Sequence, residues 1–236
     1  MPKMDLFLWV VFPYISLTIF VLGHIYRYNK DQFSWTAKSS QFLEQKRLKF
    51  GSTFFHWGII FVFFGHVAGL LVPKAFYDWL GITDDMYHFG AFWLGGLAGV
   101  ATVIGGLALF TRRVSIRRVA KNSSVSDYVS LVVLGAVVLV GFSSTVGYTV
   151  SGGSFDYRET ISPWIRGILI FRPMPELMAY APLGFQLHVL GAFALFAIWP
   201  FTRLVHVFSL PLGYLRRNYV VYRSNRPVKQ EKKTIQ

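Results

Sequence analysis

The chain has 236 residues, is 53% hydrophobic and 18% aromatic, and carries several apolar runs of about twenty residues, which reads as one integral membrane domain without a separate soluble one. It contains no cysteine, which excludes cysteine-held iron–sulfur clusters, thioether-attached haem and disulfides in this subunit. The net charge of +13 does not point to nucleic acid, because the 24 Lys and Arg are partitioned: eight lie from Arg203 onward, five between Lys30 and Lys49 and five between Arg112 and Lys121. Such clusters mark the cytoplasmic side of a membrane protein.

The first apolar run, about residues 5–26, is followed rather than preceded by its basic flank, so it is expected to be a retained helix with its N-terminus outside. His24, at its inner end, is expected to be a satisfied interfacial histidine. The polar and basic segment Asn29 to Lys49 is an inner loop with a short surface helix around Phe42 to Leu48. A second span, about 52–72, runs outward to Pro73 and carries His56 near its inner end and His66 near its outer end. An outer loop with an amphipathic piece, Phe76 to Leu80, leads to the third span, about 88–110. Six of its residues are glycines, which let helices or a flat cofactor approach. The basic stretch Arg112 to Lys121 is inner. The fourth span, about 125–150, has no histidine and reads as scaffold. A longer outer loop holds Asp156, Arg158, Glu159 and a helix-like piece, Trp164 to Phe171. The fifth span, about 182–206, carries His188 and His206. The basic, aromatic tail 207–236 is too polar to cross a membrane. The fold class is an all-α, five-helix transmembrane bundle with its N-terminus outside and its C-terminus in the cytoplasm.

The histidines organise this bundle. His188 and His206 are 18 residues apart, a whole number of helical turns, so on one helix they face the same way at a separation of ~27 Å. His56 and His66 are ten residues and ~15 Å apart. Antiparallel spans match His66 with His188 near the outer face and His56 with His206 near the inner face. The two spacings differ by ~12 Å, part of which tilt and a bend at Pro200 can absorb. Gly58, Gly65 and Gly69 would let a ring approach the backbone. Two pairs at two depths suit two six-coordinate haems. A histidine relay in a transporter or proton channel is the rival, and it expects acidic residues or broken helices near the membrane centre. Histidine–carboxylate metal chemistry is disfavoured by the scarcity of Asp and Glu in the spans.

The stretches FHWGIIFVFFGH at Phe55 to His66, SGGSFDYR at Ser151 to Arg158, and FQLHVLGAFALFAIWPFTRLVHVFSLPLGYLRRNYVVYR at Phe185 to Arg223 resemble the gamma subunit of membrane-bound respiratory nitrate reductase. The resemblance covers nearly the whole chain. It implies a dihaem cytochrome b of the cytoplasmic membrane with two non-covalent haem b groups. Such a subunit oxidises ubiquinol or menaquinol at the outer face. It passes electrons to an iron–sulfur beta subunit and so to a molybdenum-containing alpha subunit that reduces nitrate. Carried over by position, His66 and His188 match the ligands of the outer haem, and His56 and His206 those of the inner haem. The quinol site is implied beside the outer haem, near Gly65, His66 and Gly69. Where the family places a basic loop residue, this chain has Asp84 and Asp85, and Lys74 or His88 is the expected substitute. The basic inner residues Arg112, Arg113, Arg216 and Arg217 are expected to dock the beta subunit or meet haem propionates. The alternative reading is the cytochrome b subunit of a related quinone-linked reductase complex, of heterodisulfide or sulfite type, which shares the haems but differs in its soluble partner.

Overall fold

The computed structural model describes residues 3–32, 35–36, 38–150 and 155–209, without the side chains of residues 148 and 149; the tail bearing Arg216 and Arg217 lies outside the described residues. All regular structure among the described residues is helical. We number the helices α1 Lys3–Lys30, α2 Lys46–Leu71, α3 Lys74–Trp79, α4 Asp84–Ser115, α5 Arg117–Lys121, α6 Val125–Val150, α7 Ile161–Leu169 and α8 Leu183–Ile198. Five of these helices, α1, α2, α4, α6 and α8, are long and apolar enough to cross a membrane, α8 counted with the turn that follows it to Phe201. The exposed flanks of α1, α2 and α4 are lined with Phe, Leu, Ile, Val and Trp, as lipid contact requires.

Helix ends depart from the sequence prediction for readable reasons. α4 begins four residues early because Thr83 caps it, its hydroxyl accepting from the Met86 N–H at 3.3 Å, with Asp84 and Asp85 in the first turn. No separate surface helix forms around Phe42 to Leu48; a turn at residues 41–43 precedes α2, whose first turn takes in Lys46 to Leu48. Glu44 serves as a cap there, its two carboxylate oxygens accepting from the Arg47 and Leu48 N–H groups at 2.8 and 3.2 Å.

The fifth span differs most. α8 stops at Ile198, and Trp199–Phe201 and Arg203–Val207 form two short 3-10 turns. Pro200 has no N–H to continue the ladder, and Thr202 is extended between the turns. His188 and His206 therefore do not ride one helix, and the ~27 Å rise expected of one does not apply.

The spans pack in the order α2, α4, α6, α8, α1, whereas α2 and α8 are not close-packed neighbours. Glycines set the tightest crossings. Gly105 lies against the backbone of Phe55, and a Cβ on Gly58 would stand 2.5 Å from the Thr102 hydroxyl. Gly58 therefore serves the α2–α4 contact and is not open to a flat ring, contrary to the sequence expectation.

At the end of the bundle where α1 begins and α2 finishes, α7 closes it. Its Trp164, fully buried, meets Trp9 edge-on at 6.0 Å and Phe193 at 5.9 Å, within a cluster that includes Ile161, Ile168 and Met178. Two helices carry a π turn, at Phe7–Val11 and Val67–Leu71. Pro13 has no N–H to give the Trp9 carbonyl, and the Trp164 Nε1–H supplies it at 3.0 Å. The chain leaves α2 just beyond Leu70, whose carbonyl accepts from the Ser162 hydroxyl at 2.8 Å and Arg166 at 3.1 Å.

At the opposite end, Arg112, 2% exposed, donates to the Glu44 carboxylate at 2.8 Å, the Glu44 carbonyl at 2.6 Å and Ser40 at 3.0 Å. Arg113 and Arg203 share Asp127 at 3.1 and 3.2 Å. Arg112 and Arg113 are thus buried fastenings of the bundle, and the expectation that they are free for a partner or for propionates does not hold.

Candidate paired-histidine cofactor site

Four histidines meet in two pairs across the gap between α2 and the fifth span. His66 and His188 have ring centroids 5.9 Å apart with planes inclined at 38°, and His56 and His206 stand 6.1 Å apart at 68°. These are the two pairs expected from the sequence, now brought together although His206 lies on a 3-10 turn. The break at Pro200 returns the chain to α2 sooner than a straight helix would, which removes the mismatch between the two spacings.

Each imidazole is held from behind by the same device. Nδ1 lies 2.7 Å from the Ser52 carbonyl in His56, 2.7 Å from the Val62 carbonyl in His66, 3.0 Å from the Val137 carbonyl in His188 and 2.7 Å from the Arg203 carbonyl in His206. A carbonyl only accepts, so Nδ1 must carry the proton in all four rings. Nε2 is left as the lone-pair donor. This is the outer-shell arrangement that orients metal-bound histidines and raises their basicity.

The separations test what such donors can share. A metal–nitrogen bond of ~2.0 Å on each side, with about 1 Å from each nitrogen to its ring centroid, puts two trans imidazoles roughly 6 Å apart. Both pairs meet that figure. No group of three or more His, Cys, Asp or Glu side chains converges among the described residues, so the protein offers two ligands per metal at these places. Two facing imidazoles would suit a metallocofactor that supplies the remaining ligands itself, as haem does.

The sequence reading missed the part played by α6. That span has no histidine and read as scaffold, yet it supplies the Val137 carbonyl, and a Cβ on Gly141 would stand 2.5 Å from the His188 ring. The available signal was a glycine in a valine-rich helix. His24, expected to be satisfied, is so only in part: Nδ1 donates to the Phe20 carbonyl at 2.7 Å, but Nε2 is buried without a partner beside Phe20, Trp35 and Phe208.

Beyond His66, at the C-terminal end of α2, a polar cluster spans the ends of α2, α3 and α4 and the loop 155–160. Gly65 faces open space, whereas a Cβ on Gly69 would lie 2.8 Å from the Tyr157 hydroxyl and 3.1 Å from that of Tyr87. The two hydroxyls are 3.0 Å apart. The Arg158 guanidinium sits 4.1 Å above the Tyr87 ring and bonds Asp156 at 2.7 Å and Asp84 at 2.9 Å. Burial opposes charge on Arg158, but Asp156 and Asp84 outweigh it and raise its pKa. Burial likewise pushes the Asp156 carboxyl upward, and the hydrogen bonds from Arg158 more than reverse this, leaving it below the ordinary aspartate range. His88 Nε2 is 3.5 Å from Asp156 and 3.3 Å from Arg158. Lys74 is held by Asp84 at 2.8 Å and Glu159 at 3.4 Å, and the Asp84 bond raises its pKa. Its ammonium is therefore engaged rather than free, and of the two expected substitutes His88 is the one left open.

A family model described as nitrate reductase gamma subunit matches residues 5–225. The chain is 51% identical over 216 residues to the nitrate reductase gamma chain of Bacillus subtilis (strain 168), covering 92% of this chain and 96% of that one. It is 35% identical over 224 residues to the respiratory nitrate reductase 2 gamma chain of Escherichia coli (strain K12), covering 94% and 98%. A third relative, the nitrate reductase-like protein NarX of Mycobacterium tuberculosis (strain H37Rv), is 44% identical over 217 residues, which span 92% of this chain and 33% of that longer protein.

Proposed function

The chain belongs to the nitrate reductase gamma subunit family, membrane-associated subunits of respiratory nitrate reductase, and on that premise we propose that it is a dihaem, quinol-oxidising electron-transfer subunit of the cytoplasmic membrane. The observation that carries this reading is the pair of histidine pairs, 5.9 and 6.1 Å across, each ring with Nδ1 tied to a carbonyl, which leaves Nε2 as its lone-pair donor. His66 and His188 would hold the outer haem, and His56 and His206 the inner one. Haem, when bound, supplies a one-electron carrier whose potential follows axial ligation and burial.

The chain's own residues do the rest. The carbonyls of Ser52, Val62, Val137 and Arg203 set the ring tautomers, and Gly141 leaves room for the His188 ring. Basic ends at Arg27, Arg47, Arg112 and Arg203 favour the cytoplasm for that side of the bundle, with both termini orientated as the five spans dictate. Quinol, ubiquinol or menaquinol, would bind near Gly65, His66, Gly69 and His88 at the outer end and release its protons outward. Electrons would leave inward to an iron–sulfur beta subunit and then to a molybdenum-containing alpha subunit that reduces nitrate. Protons left outside and electrons carried inside separate charge without a proton pump.

A dithionite-reduced minus oxidised absorption spectrum with haem quantification tests this. Two b-type haems per chain are expected, with the outer one lost in His66→Ala and the inner one in His206→Ala. Folded protein without haem would sink the electron-transfer reading.

A further inference from the structure

We propose that the Ser52 hydroxyl is a positioning group for His56, one that makes this imidazole a stronger donor and lowers the potential of the inner haem; this rests on the dihaem reading above. Each of the four paired histidines turns Nδ1 to one backbone carbonyl. Among the described residues only His56 finds a second oxygen at that nitrogen. Its Nδ1 lies 2.7 Å from the Ser52 carbonyl and 3.1 Å from the Ser52 hydroxyl.

The placement of this hydroxyl is not what a helix gives by default. A serine or threonine inside a helix commonly bonds back to the carbonyl four residues earlier. Thr102, Thr111, Ser115 and Ser144 do so here, to the carbonyls of Ala98, Leu107, Thr111 and Val140 at 2.6 to 2.8 Å. Ser52 has the same option at Leu48 of its own helix. Its hydroxyl oxygen instead meets the residue four ahead, and His56 is its one side-chain partner among the described residues. Positions four apart share a helix face, so the carbonyl and the hydroxyl of one residue both reach the ring.

Which atoms can donate decides the chemistry. The carbonyl only accepts, so Nδ1 carries the proton, and the hydroxyl oxygen then meets the same N–H as a second acceptor in a three-centre bond. Two oxygens drawing on one N–H leave more electron density at Nε2 than one does. A more basic imidazole favours the ferric over the ferrous state of an iron bound to it. Across the pair, His206 has only the Arg203 carbonyl at 2.7 Å, and the Arg203 guanidinium is taken by Asp127 at 3.2 Å. The two ligands of the inner site are thus unequal, whereas His66 and His188 have one carbonyl each.

The test is a redox titration of the b-type absorption bands in membranes containing the full chain and its Ser52→Ala, Ser52→Thr and Ser52→Val variants. Repeating it in a His66→Ala background reads the inner haem alone, and dithionite-reduced spectra report haem content independently. We expect the Ser52 variants to hold both haems. The inner midpoint should rise in Ser52→Ala and Ser52→Val by about threefold or more in the reduction equilibrium, or about 28 mV for one electron. The outer midpoint should stay where it is in the parent. Ser52→Thr, which keeps a hydroxyl, should keep the parent's inner midpoint. Threonine and valine have the same shape, so a merely structural role would move both alike, and their comparison decides even if Ser52→Ala loses the inner haem. Equal inner midpoints in Ser52→Thr and Ser52→Val, a lower one in Ser52→Val, or loss of the inner haem from both overturns the assignment alone. Absence of haem from the parent overturns the dihaem reading and this assignment with it.

Discussion

The most informative single position is Gly141, because nothing about it is chemical. Its Cα lies against the His188 ring, and any side chain would occupy the space the imidazole fills. Gly141→Ala should therefore displace His188, and the outer haem should be lost or its spectrum altered while the inner one persists. Gly135→Ala, six residues or about 1.7 turns away on the same helix with open space around it, should leave both haems intact. The reduced-minus-oxidised spectrum reads both outcomes. Asp156 carries the complementary electrostatic prediction. Its folded pKa is lowered, so its contribution to stability is fully present above the ordinary aspartate value of ~3.9 and is lost as pH falls through the lower folded value. Thermal midpoints in detergent should fall on the acid side in the parent, and this fall should flatten in Asp156→Asn.

Among the elements, α7 has the widest reach, since one short helix supplies donors to the π turns of both α1 and α2. Trp164→Phe keeps most of the apolar volume but leaves the Trp9 carbonyl without its donor. That should cost about 1–3 kcal/mol and appear as a lowered thermal midpoint. Gly105→Ala should be worse, because the methyl would meet the Phe55 backbone, which cannot rotate away. How much of these elements was legible in the sequence depends on what each one answers to. Span existence followed from apolar length alone, and the histidine pairs followed from antiparallel order. A helix-like piece at Trp164 to Phe171 was also visible, and the structure forms it as α7, shifted to Ile161–Leu169. The α8 break was foreshadowed only by Pro200, because a proline announces a bend without giving its direction. The roles of Val137 and Gly141 were illegible, since a backbone carbonyl and a missing side chain leave no chemical mark. Arg112 and Arg113 misled for a related reason: charge count reads topology, while burial against Glu44 and Asp127 is a tertiary fact.

For the whole molecule, the orientation is open to direct measurement because the chain contains no cysteine. Trp79, 77% exposed at the end of α3, and Phe42, fully exposed in the turn before α2, are suitable places for a single thiol. Trp79→Cys should react with a membrane-impermeant maleimide in intact cells, and Phe42→Cys only after the cells are opened. The reverse pattern would invert the proposed direction of electron flow. The pairing of His66 with His188 and of His56 with His206 also bears on how the protein is made. Each pair joins a residue from the first third of the chain to one from the last, so during synthesis the early histidines wait in the bilayer while over a hundred residues follow. A haem gripped from both sides can be locked in only after the fifth span has entered the membrane. On the proposed dihaem reading, cofactor loading would be a late checkpoint of biogenesis, and a chain truncated before residue 183 would be expected to insert its first four spans and hold no haem.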